Sequence, residues 1–463
     1  MPKMPTGFST FGRPQTATAA FDACALIPVL AFAYSAVIQP LIYFYFPPTP
    51  GYQGLLESRI ENRFFWPAAA AIAIALAARN LSRGGRLTLP PNIISLLSYL
   101  GFAGASVAWA FNPGLSFIRF TQEAMVLTAI VLPALLAAPT ADILRGVFLC
   151  FASGVILNVI LIPGGYATFA QYGPTLVDIG YQGYFSDKNL LGEFAAAALL
   201  LSIHEVLYAG HRRALGVVIA VGAVVLVFMS SSKTGLGLAL LAPCLAGLTL
   251  MIARTARIPV ALVLLSMVAL FIAASQLTGL STERIAYMLT GDSSFTGRAT
   301  IWNFAESEIP RSPLVGWGYQ SFWFAGPGAP SILDAPGWVK YMPNSHNGYY
   351  DAILELGYMG LAFLAIFLIA TLHVIGRVAE YDLRRAWLLL TVALFIIVYN
   401  FLETLWLRAF DLLWVLFVIV AVEAARYWQR SPQSVPAHQS ARARPISRGG
   451  TRAAWRPRLG ARS

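Results

Sequence analysis

Apolar runs of 18 residues or more recur along this 463-residue chain, and they constrain its fold more than any other feature. A helix rises about 1.5 Å per residue, so roughly 20 apolar residues cross a hydrocarbon core of about 30 Å. Charged residues make up only 11% of the chain, against about a quarter in soluble domains, which argues against one very large soluble core. Twelve segments have the length and composition of membrane helices: approximately 23–46, 64–78, 92–111, 120–138, 144–163, 190–208, 214–229, 235–252, 258–277, 348–375, 386–402 and 409–426. The predicted fold is therefore all-α and polytopic. The first run, Cys24 to Phe46, is too long for a secretory h-region and is expected to stay as a span.

The distribution of Lys and Arg sets the expected orientation. With the N-terminus inside, the inside segments and tail hold 22 of these residues and the outside segments hold ten. Both termini are then cytoplasmic, and the longest connection, 278–345, lies between spans nine and ten on the outer face. In a Gram-negative cell that face is periplasmic. The chain divides into N-terminal transmembrane helices (1–180), a second helical region (181–425) and a basic tail (426–463). The tail is rich in Arg, Ser, Pro and Ala, and is expected to be disordered and to anchor on anionic lipid, with no nucleic-acid partner. Most of the net charge of +11 comes from it, so that charge says little about substrate. Cys24, Cys150 and Cys244 all fall inside apolar runs, without the spacing of a disulfide framework or a zinc site. No internal repeat is evident, which weakens a transporter reading built on two related halves.

Four polar stretches fall on the predicted outer face. "GYFSDKNLLGE" (Gly183 to Glu193) precedes span six, with Ser186 placed to cap it and Lys188 and Asn189 in its first turn. "SSSKTGLG" (Ser230 to Gly237) is a tight hairpin in which hydroxyls, helix-start N–H groups and an ammonium can converge on an anion. The long connection holds a predicted amphipathic helix from Arg298 to Ile309, with Ile301, Trp302 and Ala305 on its apolar stripe. It then holds a Gly-Trp-Gly-Tyr turn at 316–319, followed by Phe322, Trp323 and Phe324. Such aromatics serve as interfacial anchors or as platforms for sugar rings. The fourth stretch, "NSHNGYYD", places His346 just before span ten. With Asn344 or Ser345 as cap, His346 falls in the first helical turn, where the dipole disfavours imidazolium. A neutral imidazole there suits a general base. Glu355, nine residues further, is about 13 Å deeper by helical rise and needs a cation from elsewhere, whereas Asp351 is nearer the surface.

Taken in order, "KNLLGE" (188–193), "SSSKTGL" (230–236), "GRATIW" (297–302), "PLVGWGYQSFW" (313–323), "HNGYYD" (346–351) and "ELGYMG" (355–360) resemble the O-antigen ligase and exopolysaccharide polymerase family of bacterial envelopes. The resemblance covers roughly residues 180 to 425. It implies a C-type glycosyltransferase architecture in the inner membrane, taking glycan from undecaprenyl diphosphate and passing it to an acceptor hydroxyl with inversion. It implies no nucleotide sugar, cofactor or metal, and the chain has no DxD triplet. By the same resemblance His346 is the catalytic base, and Arg298 binds the diphosphate. Lys233 stands where many members have arginine, and Arg119 is a third candidate cation. Lys188, Asn189, Asn347 and Glu355 are implied to support the site, with Trp302, Trp317, Tyr319 and Trp323 as sugar-stacking candidates. A flippase and a chain-length co-polymerase are the implied partners. Two activities compete within the family: polymerisation of lipid-linked repeat units, which "GWGYQSFW" and "SSSKTG" favour, and ligation onto lipid A core. Export of the same lipids is the non-enzyme alternative.

Overall fold

The computed structural model describes residues 22–47, 59–84, 87–164, 167–172, 176–279 and 297–428. The basic tail beyond residue 428 and the segment 280–296 lie outside the described residues, so the expectation for the tail is not addressed. All twelve expected segments are helical: α1 (Ala23–Tyr45), α2 (Ile60–Ser82), α3 (Pro91–Ala105), α4 (Pro113–Leu136), α5 (Ile143–Leu161), α6 (Lys188–Tyr208), α7 (Arg213–Met229), α8 (Lys233–Ala256), α9 (Val260–Thr278), α11 (Gly348–Val378), α12 (Leu383–Tyr399) and α13 (Leu412–Trp428). Ten of these stretches are long and apolar enough to cross a membrane; α12 and α13, at 17 residues each, are shorter. The amphipathic helix α10 (Arg298–Glu308) forms where the apolar stripe predicts it, burying Ile301, Phe304, Ala305 and Glu308. One element has no counterpart in the helical reading: an antiparallel hairpin of β1 (Ala167–Tyr172) and β2 (Leu176–Tyr181), in the connection before α6.

The bundle is organised around α13. Every residue from Leu412 to Tyr427 is buried, as expected of a helix that is apolar all round and surrounded by other helices. It packs on α3, α4, α11 and α12. By contrast, α9 leaves Leu270 and Phe271 exposed, in keeping with a lipid-facing position. Cys24, Cys150 and Cys244 are free thiols.

Two backbone irregularities matter for the site. In α1, Pro40 has no N–H for the carbonyl of Ala36, one helical turn earlier; the helix widens into a π-turn (Tyr34–Ile38), and the Tyr184 hydroxyl donates to that carbonyl at 3.0 Å. The second break is in α11, where Gly357 adopts φ 67° and ψ −172°. The freed backbone groups on both sides are matched by a turn of the long connection. The N–H groups of Trp317 and Gly318 donate to the carbonyls of Leu354 and Glu355 at 2.9 and 2.8 Å, and Tyr358 and Met359 donate to Pro313 and Leu314 at 2.8 and 3.2 Å. Irregular backbone beside a span survives only when its polar groups are satisfied within the protein, as they are here. A Cβ at Gly357 would lie 2.2 Å from the Leu314 carbonyl carbon, and one at Gly316 2.4 Å from that of Glu355, so side chains are excluded at both. "PLVGWG" and "ELGYMG" are thus two halves of one backbone interlock.

Candidate functional site

The site is assembled at the end of the bundle where α6, α8 and α11 begin and α12 ends. The turn before α11 is built from its own polar side chains. Asn347 is the N-cap, its Oδ1 accepting from the N–H groups of Tyr349 and Tyr350 at 3.0 and 3.3 Å. His346 therefore lies outside the helix, with φ 50°, rather than in its first turn as expected from a cap at Asn344 or Ser345. The dipole argument for a neutral imidazole lapses with that shift. Asn344 contributes differently, its Oδ1 accepting from the His346 N–H at 2.9 Å and holding the left-handed turn.

What faces the imidazole is a carboxylate. His346 Nδ1 lies 2.9 Å from Glu403 Oε2, and the other oxygen of the same carboxylate accepts from Arg298 Nη2 at 2.5 Å. Arg298 also donates to the carbonyl of Leu402. Glu403 therefore joins the two residues that the resemblance singles out as base and diphosphate ligand. Burial acts to raise the Glu403 pKa, but Arg298 and His346 outweigh it and hold the carboxyl below its ordinary value, so it is ionised. The backbone fixes the same contact, since Gly348 N–H lies 2.8 Å from the Asn400 carbonyl and 2.9 Å from that of Glu403.

Asp351 was expected near the surface, yet it is buried and is a hub. Its carboxylate accepts from Trp323 Nε1 at 2.8 Å, Thr404 Oγ1 at 2.7 Å and the Ser345 N–H at 3.2 Å. Arg408 Nη2 is 3.4 Å away. The cation that Glu355 requires is also Arg408, bound through two nitrogens at 3.2 and 2.8 Å. Arg408 comes from the connection between α12 and α13, as does Glu403. Neither residue falls in a motif of the sequence, where Arg408 is only one of the ten cations assigned to the outer face. Two opposite charges in a short connection between apolar runs were the available signal.

The remaining predicted residues divide. Asp187, not Ser186, caps α6, accepting from the Asn189 N–H at 2.6 Å. Its carboxyl pKa is raised, by burial first and then by Glu403, against Lys188 and His346, which places the start of α6 within electrostatic reach of the cluster. Lys188 is buried beside the hairpin that opens α8, because a Cβ at Gly180 would touch both its Cδ and the Ser230 carbonyl. Ser232 caps α8, accepting from Gly235 N–H at 3.2 Å, and Lys233 follows it with an exposed side chain that makes no ion pair among the described residues. The Arg119 guanidinium donates to the Gln320 carbonyl and so anchors the long connection to α4.

The aromatic expectation needs correction. Tyr319 is fully buried, its hydroxyl donating to the Leu407 carbonyl at 2.7 Å, and Trp323 is 3% exposed with its indole bound to Asp351. Neither has a ring face free for a sugar. Trp302 and Trp317 keep partial exposure; Trp302 Nε1 donates to the Ser345 carbonyl at 3.1 Å, beside His346.

Residues 215–365 match the family model described as O-antigen ligase. The chain is also 28% identical over 294 residues to the exopolysaccharide production protein ExoQ of Rhizobium meliloti (strain 1021). That alignment covers 59% of this chain and 63% of the relative, so the similarity spans under two thirds of the curated protein's length. The family match contains Lys233, Arg298, His346, Asp351 and Glu355, and stops short of Glu403 and Arg408.

Proposed function

We propose, for this multi-span membrane protein of the O-antigen ligase family, that it polymerises lipid-linked oligosaccharide repeat units at the outer face of the bacterial inner membrane. The observation that carries the reading is the bridge of His346 and Arg298 by Glu403, because it puts a base and a cation beside one another at the mouth of a span. Similarity to ExoQ, an exopolysaccharide production protein, favours exopolysaccharide over lipid A core as the product.

The chemistry is a single displacement. An acceptor hydroxyl attacks the anomeric carbon of a glycan held on undecaprenyl diphosphate. The new C–O bond forms as the bond to the diphosphate breaks, and inversion follows. Glu403 fixes the imidazole through Nδ1, leaving Nε2 to take the hydroxyl proton. Charge developing on the leaving diphosphate is neutralised by the remaining N–H groups of Arg298 and by Lys233. Lys233 supplies charge without the planar fork of an arginine. Trp302 offers a partly open ring next to the base for a sugar. A flippase and a chain-length co-polymerase are the proposed partners.

The decisive assay uses full-length protein in liposomes with lipid-linked repeat units as the sole glycan. Wild type should lengthen them, and His346→Ala should lower turnover by roughly 10²–10⁴-fold. Strict dependence on added lipid A core would replace polymerase by ligase. Normal chain length and yield in His346→Ala at equal expression would remove the base assignment.

A further inference from the structure

At the end of the bundle opposite His346, α6 ends at Tyr208, α8 ends at Ala256 and α12 begins at Leu383. These ends border an open cavity of about 540 Å³. Leu250, Met251 and Leu383 give it apolar walls, and Arg254 and Arg384 stand in its lining. Its aromatic side is fixed in place. The Trp387 indole donates to the Pro243 carbonyl at 3.1 Å, and Tyr208 meets Trp387 edge-on at 6.2 Å. The Arg384 guanidinium lies 5.1 Å over the Tyr208 ring, which holds it in position without neutralising it.

The carboxylates nearby are committed elsewhere. Asp382 caps α12, accepting from the N–H groups of Arg384 and Arg385, both at 3.0 Å. Arg385, the next residue, is tied to Asp142 at 2.9 Å and Glu423 at 2.7 Å. Glu205 pairs with Arg212 at 3.2 Å. Among the described residues, Arg254 and Arg384 have no carboxylate partner.

We infer that this cavity binds an anionic phospholipid. Its phosphate sits between the guanidinium groups of Arg254 and Arg384, and its acyl chains run along Leu250, Met251 and Leu383. Two exposed guanidinium groups without a carboxylate partner, set at a membrane edge, attract an anionic headgroup. Met251 and Leu383, 60% and 40% exposed, offer apolar surface that acyl chains would cover and that a free aqueous anion would leave unused. A zwitterionic headgroup brings its own cation against Arg384 and is disfavoured. The site stands at the far end of the helices from Glu403 and is independent of the proposed reaction.

The test titrates the full-length protein in dodecyl maltoside with dioleoyl phosphatidylglycerol, dioleoyl phosphatidylcholine or inorganic phosphate. Bound lipid is counted by native mass spectrometry and thermal unfolding is followed alongside. Phosphatidylglycerol should be retained and should raise Tm, while the other two do neither. Arg254→Gln with Arg384→Gln should weaken retention about 25-fold, roughly fivefold for each guanidinium removed near the surface. Thr255→Trp, at an exposed position in the cavity lining, keeps both charges and should block retention by filling the space. It decides the matter if the double variant fails to fold. Equal retention of phosphatidylcholine, wild-type retention in Thr255→Trp, or a full Tm shift from inorganic phosphate alone would each overturn the assignment.

Discussion

Arg408 holds Glu355 through two guanidinium nitrogens, at 3.2 and 2.8 Å, and that carboxylate sits two residues before the break in α11 at Gly357. The same guanidinium reaches Asp351. Two buried acids therefore depend on one cation from a different connection. Arg408→Gln should destabilise the protein by about 3–5 kcal/mol, the usual cost of stranding a buried charge. Arg408→Met combined with Glu355→Met should recover much of that loss, since Asp351 keeps Trp323, Thr404 and Ser345 as donors. Thermal unfolding of the single and double variants measures both; a double variant no better than the single would contradict the pairing.

Glu403 touches both His346 and Arg298, so its charge should matter to turnover more than to folding. Glu403→Gln keeps the shape and removes the ionised acceptor. Polymer yield is expected to fall by roughly 10²–10⁴-fold, as when the partner orienting a catalytic histidine is neutralised. Melting temperature should stay close to wild type. Full activity in Glu403→Gln would show that the imidazole needs no such orientation.

Gly357 combines a left-handed φ with backbone packed where a Cβ would be. Strain of this kind costs about 1–3 kcal/mol even without the clash. Gly357→Ala should therefore lower stability by at least that amount and open the contact with 313–318. Hydrogen exchange at the amides of Trp317 and Gly318 reads the second effect directly, and unchanged protection there would contradict the interlock.

Asp411 offers a pH signature. Burial, with Glu403 adding to it, pushes its carboxyl up to about 7 in the folded protein. A carboxyl whose folded pKa exceeds its unfolded value contributes stability that is present at low pH and is lost as pH rises through the folded pKa. Tm should accordingly decline between about pH 4 and 7. Asp411→Asn should flatten that decline while keeping the cap that the side chain gives to the Trp414 N–H at 2.9 Å. An identical slope in the variant would assign the titration to another group.

Much of this architecture is legible in the sequence, because membrane helices announce themselves by length and hydropathy. All twelve segments are helical, though the fourth begins at Pro113, seven residues before its expected start, and Arg298 and His346 stand out by motif. The errors share one physical origin: contacts between residues far apart in the chain. Glu403 lies 57 positions from His346 and 105 from Arg298, and no local spacing joins them. Tyr319 and Trp323 read as free platforms because glycines and aromatics look alike whether they face solvent or protein. The cap at Asn347 was displaced by up to three residues from the expected positions because Asn344, Ser345 and Asn347 all have capping side chains. The bonds from the Tyr349 and Tyr350 N–H groups to the Asn347 side chain select among them.

The interlock of 313–318 with 354–359 also bears on how such proteins can be rearranged. Four main-chain bonds join a connecting loop to the break in a span, and they require a glycine on each side, Gly316 in the loop and Gly357 in the helix. Neither half of that junction can be exchanged without the other. A chimera with a relative must take residues 313 to 359 as one cassette, with its crossover points outside both ends, or it inherits a severed helix with nothing to close it.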